Sequence, residues 1–77
     1  MNSGGSGATR PVLTPLEREI LQHMAGGLST REVAARLGVP VGIVRSALGS
    51  IIKKLGAGSK LEAIIVAIRQ GLIPPPS

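Results

Sequence analysis

The side chains in this sequence with the clearest capacity for chemistry are its cations. Nine lysine and arginine residues stand against four glutamates, which gives the 77-residue chain a net charge of +5 at pH 7. An excess of this size in a small protein favours a polyanionic partner, nucleic acid first and an acidic membrane surface second. Guanidinium and ammonium groups bind phosphate, and the guanidinium fork also fits the edge of a guanine base.

Other chemistries find little support in the composition. The chain has no cysteine and one histidine, His23, so we expect no disulfide, no metal centre and no cofactor. The sequence shows neither a nucleophile paired with a base nor a pair of carboxylates, so we do not expect an enzyme. The lack of aromatic residues argues against single-strand or RNA binding by base stacking. The longest apolar run, residues 63–68, is too short to span a bilayer, so we expect a cytoplasmic location and no membrane partner.

Three of the four glutamates indicate where helices begin. Glu17, Glu32 and Glu62 each follow a serine or threonine by three residues, the spacing of a capping box that satisfies the first N–H groups of a helix. Glycines follow the predicted helices, where they favour helix termination. We therefore predict an all-α fold, a four-helix bundle containing a helix-turn-helix, with helices at about 15–25, 30–37, 41–55 and 60–70.

The composition changes at both ends of the chain. Residues 1–9 are small and flexible, which is typical of a linker or an added tail. Residues 74–77 form a proline-rich tail that we expect to be disordered. The domain itself is predicted to span residues 10–73.

Apolar spacing predicts how the outer helices pack. In the first helix, Leu16, Ile20 and Met24 repeat on one face and are expected to enter the core. After the last helix, Leu72 and Ile73 are expected to fold back onto it.

The stretch from Ser29 to Leu55 is the predicted helix-turn-helix, with Gly38 in its turn. At about 100° per residue, the inward face of its second helix centres on Val44 and includes Ile51. The opposite, outward stripe carries only small or basic residues, which are Gly42, Ser46, Gly49 and Lys53.

On this helix we predict the contacts to DNA. Arg45 and Ser46 are the candidates for the groove, with Gly42 and Gly49 allowing close approach. The predicted phosphate contacts are Arg31, Arg36, Ser50, Lys53, Lys54 and Lys60. For Arg36 a solvated helix face, and for Lys53 and Lys54 an interaction with the helix dipole, remain alternative explanations.

The fourth predicted helix is apolar on nearly every side. Such a helix needs a second apolar partner besides its own core. We expect homodimerisation through it, and a neighbouring domain that covers it is the alternative. The predicted dimer residues are Leu61, Ile64, Ile65 and Ile68.

The sequence also resembles a known family, the LuxR-type (GerE-like) helix-turn-helix domain of bacterial transcription regulators. The resemblance covers about residues 13–73 and rests on LTPLEREIL, GLSTREVAARLGV, VR…IIKKLGAGSKLEA and AIRQGLI in that order. It implies four helices, the third in the major groove, dimerisation through the fourth, and control of transcription. Members usually carry a receiver or ligand-sensing domain as well, and the resemblance leaves open whether this chain acts alone.

The departures from the family cluster at the third helix. Pro40 stands where a Ser or Thr cap is common, Gly42 and Ile43 stand where a polar residue and Thr are common, and Ala47 replaces a common His. The resemblance therefore carries over the phosphate contacts better than the base-reading set.

From these observations we predict sequence-directed binding of duplex DNA by a homodimer that regulates transcription, with few base-reading side chains. The alternative is a protein-interaction or dimerisation module derived from such a domain, whose third helix docks a partner protein. The apolar residues Val41 and Ile43 favour this alternative, and the cations favour DNA. A role at a membrane surface ranks third, since the fourth helix has one basic residue beyond its start.

Overall fold

A computed structural model describes residues 13–76, and these form four α-helices and no strand. The predicted all-α fold is confirmed. The predicted tail at residues 1–9, the first residues of the predicted domain and residue 77 lie outside the described part. The helices are α1 (Pro15–Ala25), α2 (Thr30–Leu37), α3 (Val41–Leu55) and α4 (Lys60–Arg69), so only the end of α4 differs from prediction, by one residue.

The capping boxes of α1 and α2 are present as predicted. The hydroxyl oxygen of Thr14 accepts a hydrogen bond from the N–H of Glu17 at 3.1 Å, and the Glu17 carboxylate accepts one from the N–H of Thr14 at 2.9 Å. Ser29 and Glu32 make the same pair of bonds, at 3.1 and 2.8 Å. These local bonds fix the first residue of each helix.

The predicted third capping box is wrong in one of its two bonds. The hydroxyl of Ser59 accepts from the N–H of Glu62 at 3.2 Å, but the Glu62 carboxylate accepts from Gly58 at 2.8 Å instead of from Ser59. A Cβ at Gly58 would lie only 3.0 Å from that carboxylate oxygen. The missing side chain lets the carboxylate approach the backbone one residue farther from the helix.

The core lies between the four helices, and α3 contacts each of the other three. Val44 and Ile51 of α3 are fully buried, which confirms the predicted inward face of this helix. The largest fully buried side chains besides these two are Ile20, Leu21 and Val33. Ile73 is 2% exposed and the N–H of Leu72 donates to Ala67 at 2.8 Å, so the predicted return of the chain after α4 is also confirmed.

The predicted core face of α1 is wrong at its first position. Leu16 is 39% exposed, whereas Glu17 is 6% exposed and shares the buried face with Ile20 and Met24. The capping box holds the Glu17 carboxylate against the backbone of Thr14, and a lysine from α3 compensates its charge. The charged residue therefore occupies the buried position, and the apolar neighbour is left outside.

Candidate nucleic-acid interface

The predicted helix-turn-helix consists of α2, a three-residue turn and α3. The axes of α2 and α3 bend by 116° across this turn. Gly38 has φ 72° and ψ 33°, and its N–H and that of Val39 both donate to the carbonyl of Ala34, at 2.9 and 3.1 Å. The left-handed conformation is accessible to glycine at low cost, and the resulting angle lies in the range of DNA-binding helix-turn-helix units.

The start of α3 lacks a side-chain cap. Pro40 precedes the helix with φ −60° and makes no side-chain hydrogen bond to it. Its carbonyl accepts from the N–H of Ile43 at 3.0 Å, so backbone contacts alone close the first turn. In the other three helices a backbone N–H of the first turn donates a hydrogen bond to a Ser or Thr hydroxyl at this position.

The outward stripe of α3 is exposed along its whole length. An added Cβ at Gly42 or Gly49 would meet nothing within 4 Å, so the fold itself does not require glycine at either position. Arg45 lies beside this stripe and is exposed as well. We name as the outer face of α3 the exposed residues Gly42, Arg45, Ser46, Gly49, Ser50 and Lys53.

Further cations border this face or lie near the helix starts. Arg31 and Arg36 are exposed on α2, and Lys60 is exposed as the first residue of α4. Within residues 13–76, none of these three, nor Arg45 or Lys53, forms an ion pair. Their positive charge therefore faces solvent, as the predicted phosphate contacts require, and the contacts themselves stay predictions.

Lys54 has a different environment from the other predicted phosphate contacts. Its ammonium nitrogen lies 2.7 Å from the Oε1 atom of Glu17, although the two residues are 37 positions apart. Burial raises the pKa of Glu17, but hydrogen bonds from Lys54 and from the backbone of Thr14 outweigh it and hold this pKa below its ordinary value. This pair was not predicted from the sequence, although Glu17 shares the spacing of the buried residues Ile20 and Met24.

Only part of the predicted dimer face of α4 is exposed in the single chain. Leu61 is 66% exposed and Ile65 is 44% exposed, and the two lie one helical turn apart. Ile68 is half-buried against the core. Ile64 is only 9% exposed and packs in the core, which removes it from the predicted interface. It faces inward with Ala63 and Ala67, whose small side chains bring α4 close to the rest of the domain.

Residues 13–76 contain no pocket for a small ligand and no group of three or more histidine, aspartate or glutamate side chains that could hold a metal ion. His23 lies 3.9 Å from Glu19 on the surface of α1. In the same part of the chain no single helix is long and apolar enough to cross a membrane, and only the bent pair of α2 and α3 reaches that length and composition.

Comparison with known proteins gives a consistent result. Residues 11–67 match the family described as bacterial regulatory proteins, luxR family. The transcriptional regulatory protein YdfI of Bacillus subtilis (strain 168) is 41% identical over 61 residues, which cover 79% of this chain and 29% of YdfI. This chain thus spans less than a third of the length of that relative.

Two solved structures are similar to the fold. The transcription factor GerE is 33% identical with a TM-score of 0.76, over 79% of this chain and 91% of GerE. The response regulator ChrA of a heme-sensing two-component system is 39% identical with a TM-score of 0.79, over 86% of this chain and 33% of ChrA. These proteins are regulators, and each similarity covers more than three quarters of this chain.

Proposed function

This chain belongs to the luxR family of bacterial regulatory proteins and is a DNA-binding domain of that type, and we propose that it binds duplex DNA as a homodimer with α3 in the major groove. In this proposal, Arg45 and Ser46 contact base edges. The exposed Gly42 and Gly49 let the DNA come close to the helix backbone. The domain spans residues 10–73 and acts in the cytoplasm of a bacterium.

The proposal rests on the exposure of the whole outer face of α3, a helix whose axis bends by 116° from that of α2. An angle of this size lets α2 cross the DNA backbone while α3 enters the groove. Arg31 and Arg36 on α2, like Arg45 and Lys53 on α3, form no ion pair with the described residues. We assign phosphate contacts to Arg31, Arg36, Ser50, Lys53 and Lys60, and treat Lys54 separately below.

The same face limits sequence discrimination. A bidentate side-chain contact to a base is worth about 1–3 kcal/mol of discrimination, and Arg45 is the only long side chain assigned to the groove. The four assigned phosphate cations predict a slope of log K against log salt of roughly −3 to −4 per domain. Binding should therefore depend steeply on salt and only modestly on sequence.

Dimerisation is proposed through α4. Leu61 and Ile65 leave adjacent apolar surface exposed, which a second copy of the helix would bury. Two domains related by a two-fold axis would place two copies of α3 on successive major grooves.

The second candidate function is docking of a partner protein on α3. It rests on Ile43, which is 47% exposed at the start of that helix.

Amide chemical-shift mapping distinguishes the two functions. Addition of a duplex oligonucleotide to the isotope-labelled protein should shift the signals of the α2 to α3 turn and the outer face of α3. Shifts confined to α4, or no shifts at low salt, would contradict DNA binding through α3.

A further inference from the structure

Two adjacent lysines at the end of α3 differ in what they contact. Lys53 is exposed on the outer face and forms no ion pair within residues 13–76. Lys54 turns about 100° away, and its ammonium nitrogen lies 2.7 Å from Oε1 of Glu17. The two lysines have the same side chain and adjacent positions in the helix, so they differ in what their ammonium groups contact.

The partner is a buried carboxylate at the start of α1. Glu17 is 6% exposed and lies in the sequence between the core residues Leu13 and Ile20. The oxygen that accepts from Lys54 also accepts from the backbone N–H of Thr14 at 2.9 Å. A buried charge that loses its partner destabilises a protein far more than an exposed one, because water cannot replace the lost interaction. If Lys54 moved toward a phosphate, Glu17 would lose its partner and the domain would be destabilised in this way.

We propose that Lys54 is a positioning residue and not a phosphate contact. Its ammonium anchors the last turn of α3 to the first turn of α1 and so sets the direction in which the outer face of α3 meets DNA. Lys53 is then the phosphate contact at this end of the helix. The proposal deepens the DNA-binding function and rests on it.

The salt dependence of DNA binding separates the two lysines. We expect Lys53→Met to reduce the slope of log K against log salt by about 0.9, the value for one phosphate contact. The paired change Glu17→Gln with Lys54→Met keeps the net charge of the chain and leaves no buried charge without a partner. We expect its plot to run parallel to that of the wild type and several-fold lower in affinity at every salt concentration.

Two results would overturn the proposal. A slope reduced in the paired variant as much as in Lys53→Met would make Lys54 a phosphate contact. A plot that superimposes on the wild type would show that the anchor does not position α3.

Thermal unfolding keeps the anchor testable if the wild type binds no duplex, which would refute the proposed function itself. Lys54→Met alone leaves Glu17 without its lysine and should lower Tm by roughly 10 °C or more. Adding Glu17→Gln should restore most of this loss, and Lys53→Met should cause almost none. Equal, small effects of Lys53→Met and Lys54→Met on Tm would refute the anchor.

Discussion

A single carboxylate oxygen of Glu17 joins the start of α1 to the end of α3. It accepts the backbone N–H of Thr14 at 2.9 Å and the ammonium of Lys54 at 2.7 Å. The first bond completes the cap of α1, and the second holds the end of α3 against that cap. Stability and the placement of the proposed DNA-binding helix therefore depend on the same ionised group.

This relationship predicts acid sensitivity. The pKa of Glu17 lies below its ordinary value of 4.5 because hydrogen bonds from Lys54 and Thr14 outweigh the effect of burial. A lowered folded-state pKa contributes stability above the unfolded pKa and loses it as pH falls through the folded value. We expect Glu17→Gln to be less stable than the wild type at neutral pH and to lose less on acidification below about pH 4.5. Urea unfolding at several pH values measures this, with Glu19→Gln on the exposed face of α1 as control. Parallel pH profiles for the wild type and Glu17→Gln would contradict it.

Two glycines of the helix-turn-helix should respond oppositely to alanine. Gly38 has φ 72°, so Gly38→Ala should destabilise the domain by about 1 kcal/mol or more. Gly49 lies inside α3 with open space around it, so Gly49→Ala should stabilise the free protein by about 0.5–1 kcal/mol. Chemical denaturation of both variants checks the signs. A loss of stability in Gly49→Ala would mean that the glycine serves the fold.

The same Gly49→Ala change tests close approach of DNA. If the DNA backbone or a base edge packs against the outer face, an added methyl group should weaken duplex binding although the free protein is more stable. Gly42→Ala should act in the same direction. The control is Gln22→Ala, a change on the exposed face of α1 away from the assigned DNA contacts. Unchanged affinity in both glycine variants would show that no close contact forms there.

Dimerisation should depend on the exposed residues of α4 and not on the buried ones. Leu61→Gln combined with Ile65→Gln removes apolar surface that is exposed in the single chain. We expect sedimentation equilibrium to show a monomer with a largely unchanged fold. Ile64→Val is the matched control, because it removes one methyl group from the core at a cost of about 0.5–1.5 kcal/mol and should leave the dimer intact. A dimer that persists in the glutamine variant would exclude this face.

The helix ends could be read from the sequence because the interactions that set them are local. Ser29 and Glu32 are three residues apart, and their reciprocal bonds need no other part of the chain. At Glu62 the predicted bond is displaced by one residue. Its carboxylate accepts from the N–H of Gly58, because no side chain at Gly58 blocks the approach.

The burial of Glu17 could not be predicted in this way. Hydropathy places Leu16 in the core and Glu17 outside. The bond to Thr14 together with the position of Lys54, 37 residues later, reverses that order. For the same reason the sequence predicts a phosphate contact for Lys54 as well as for Lys53. Ile64 and Ile65 were likewise assigned to one apolar surface, and the packing of α4 on the core separates them.

The most direct test of the central claim is fluorescence anisotropy of two labelled duplexes, a candidate operator and its scrambled sequence, at two salt concentrations. Wild type, Arg45→Ala and the charge-matched Arg18→Ala are compared, the last removing an exposed arginine of α1. We predict steep salt dependence for the wild type and a loss of about 1 kcal/mol or more in Arg45→Ala that is larger for the operator. Arg18→Ala should stay close to the wild type. Equal losses in both arginine variants, or a folded domain that binds neither duplex at low salt, would contradict DNA recognition by α3.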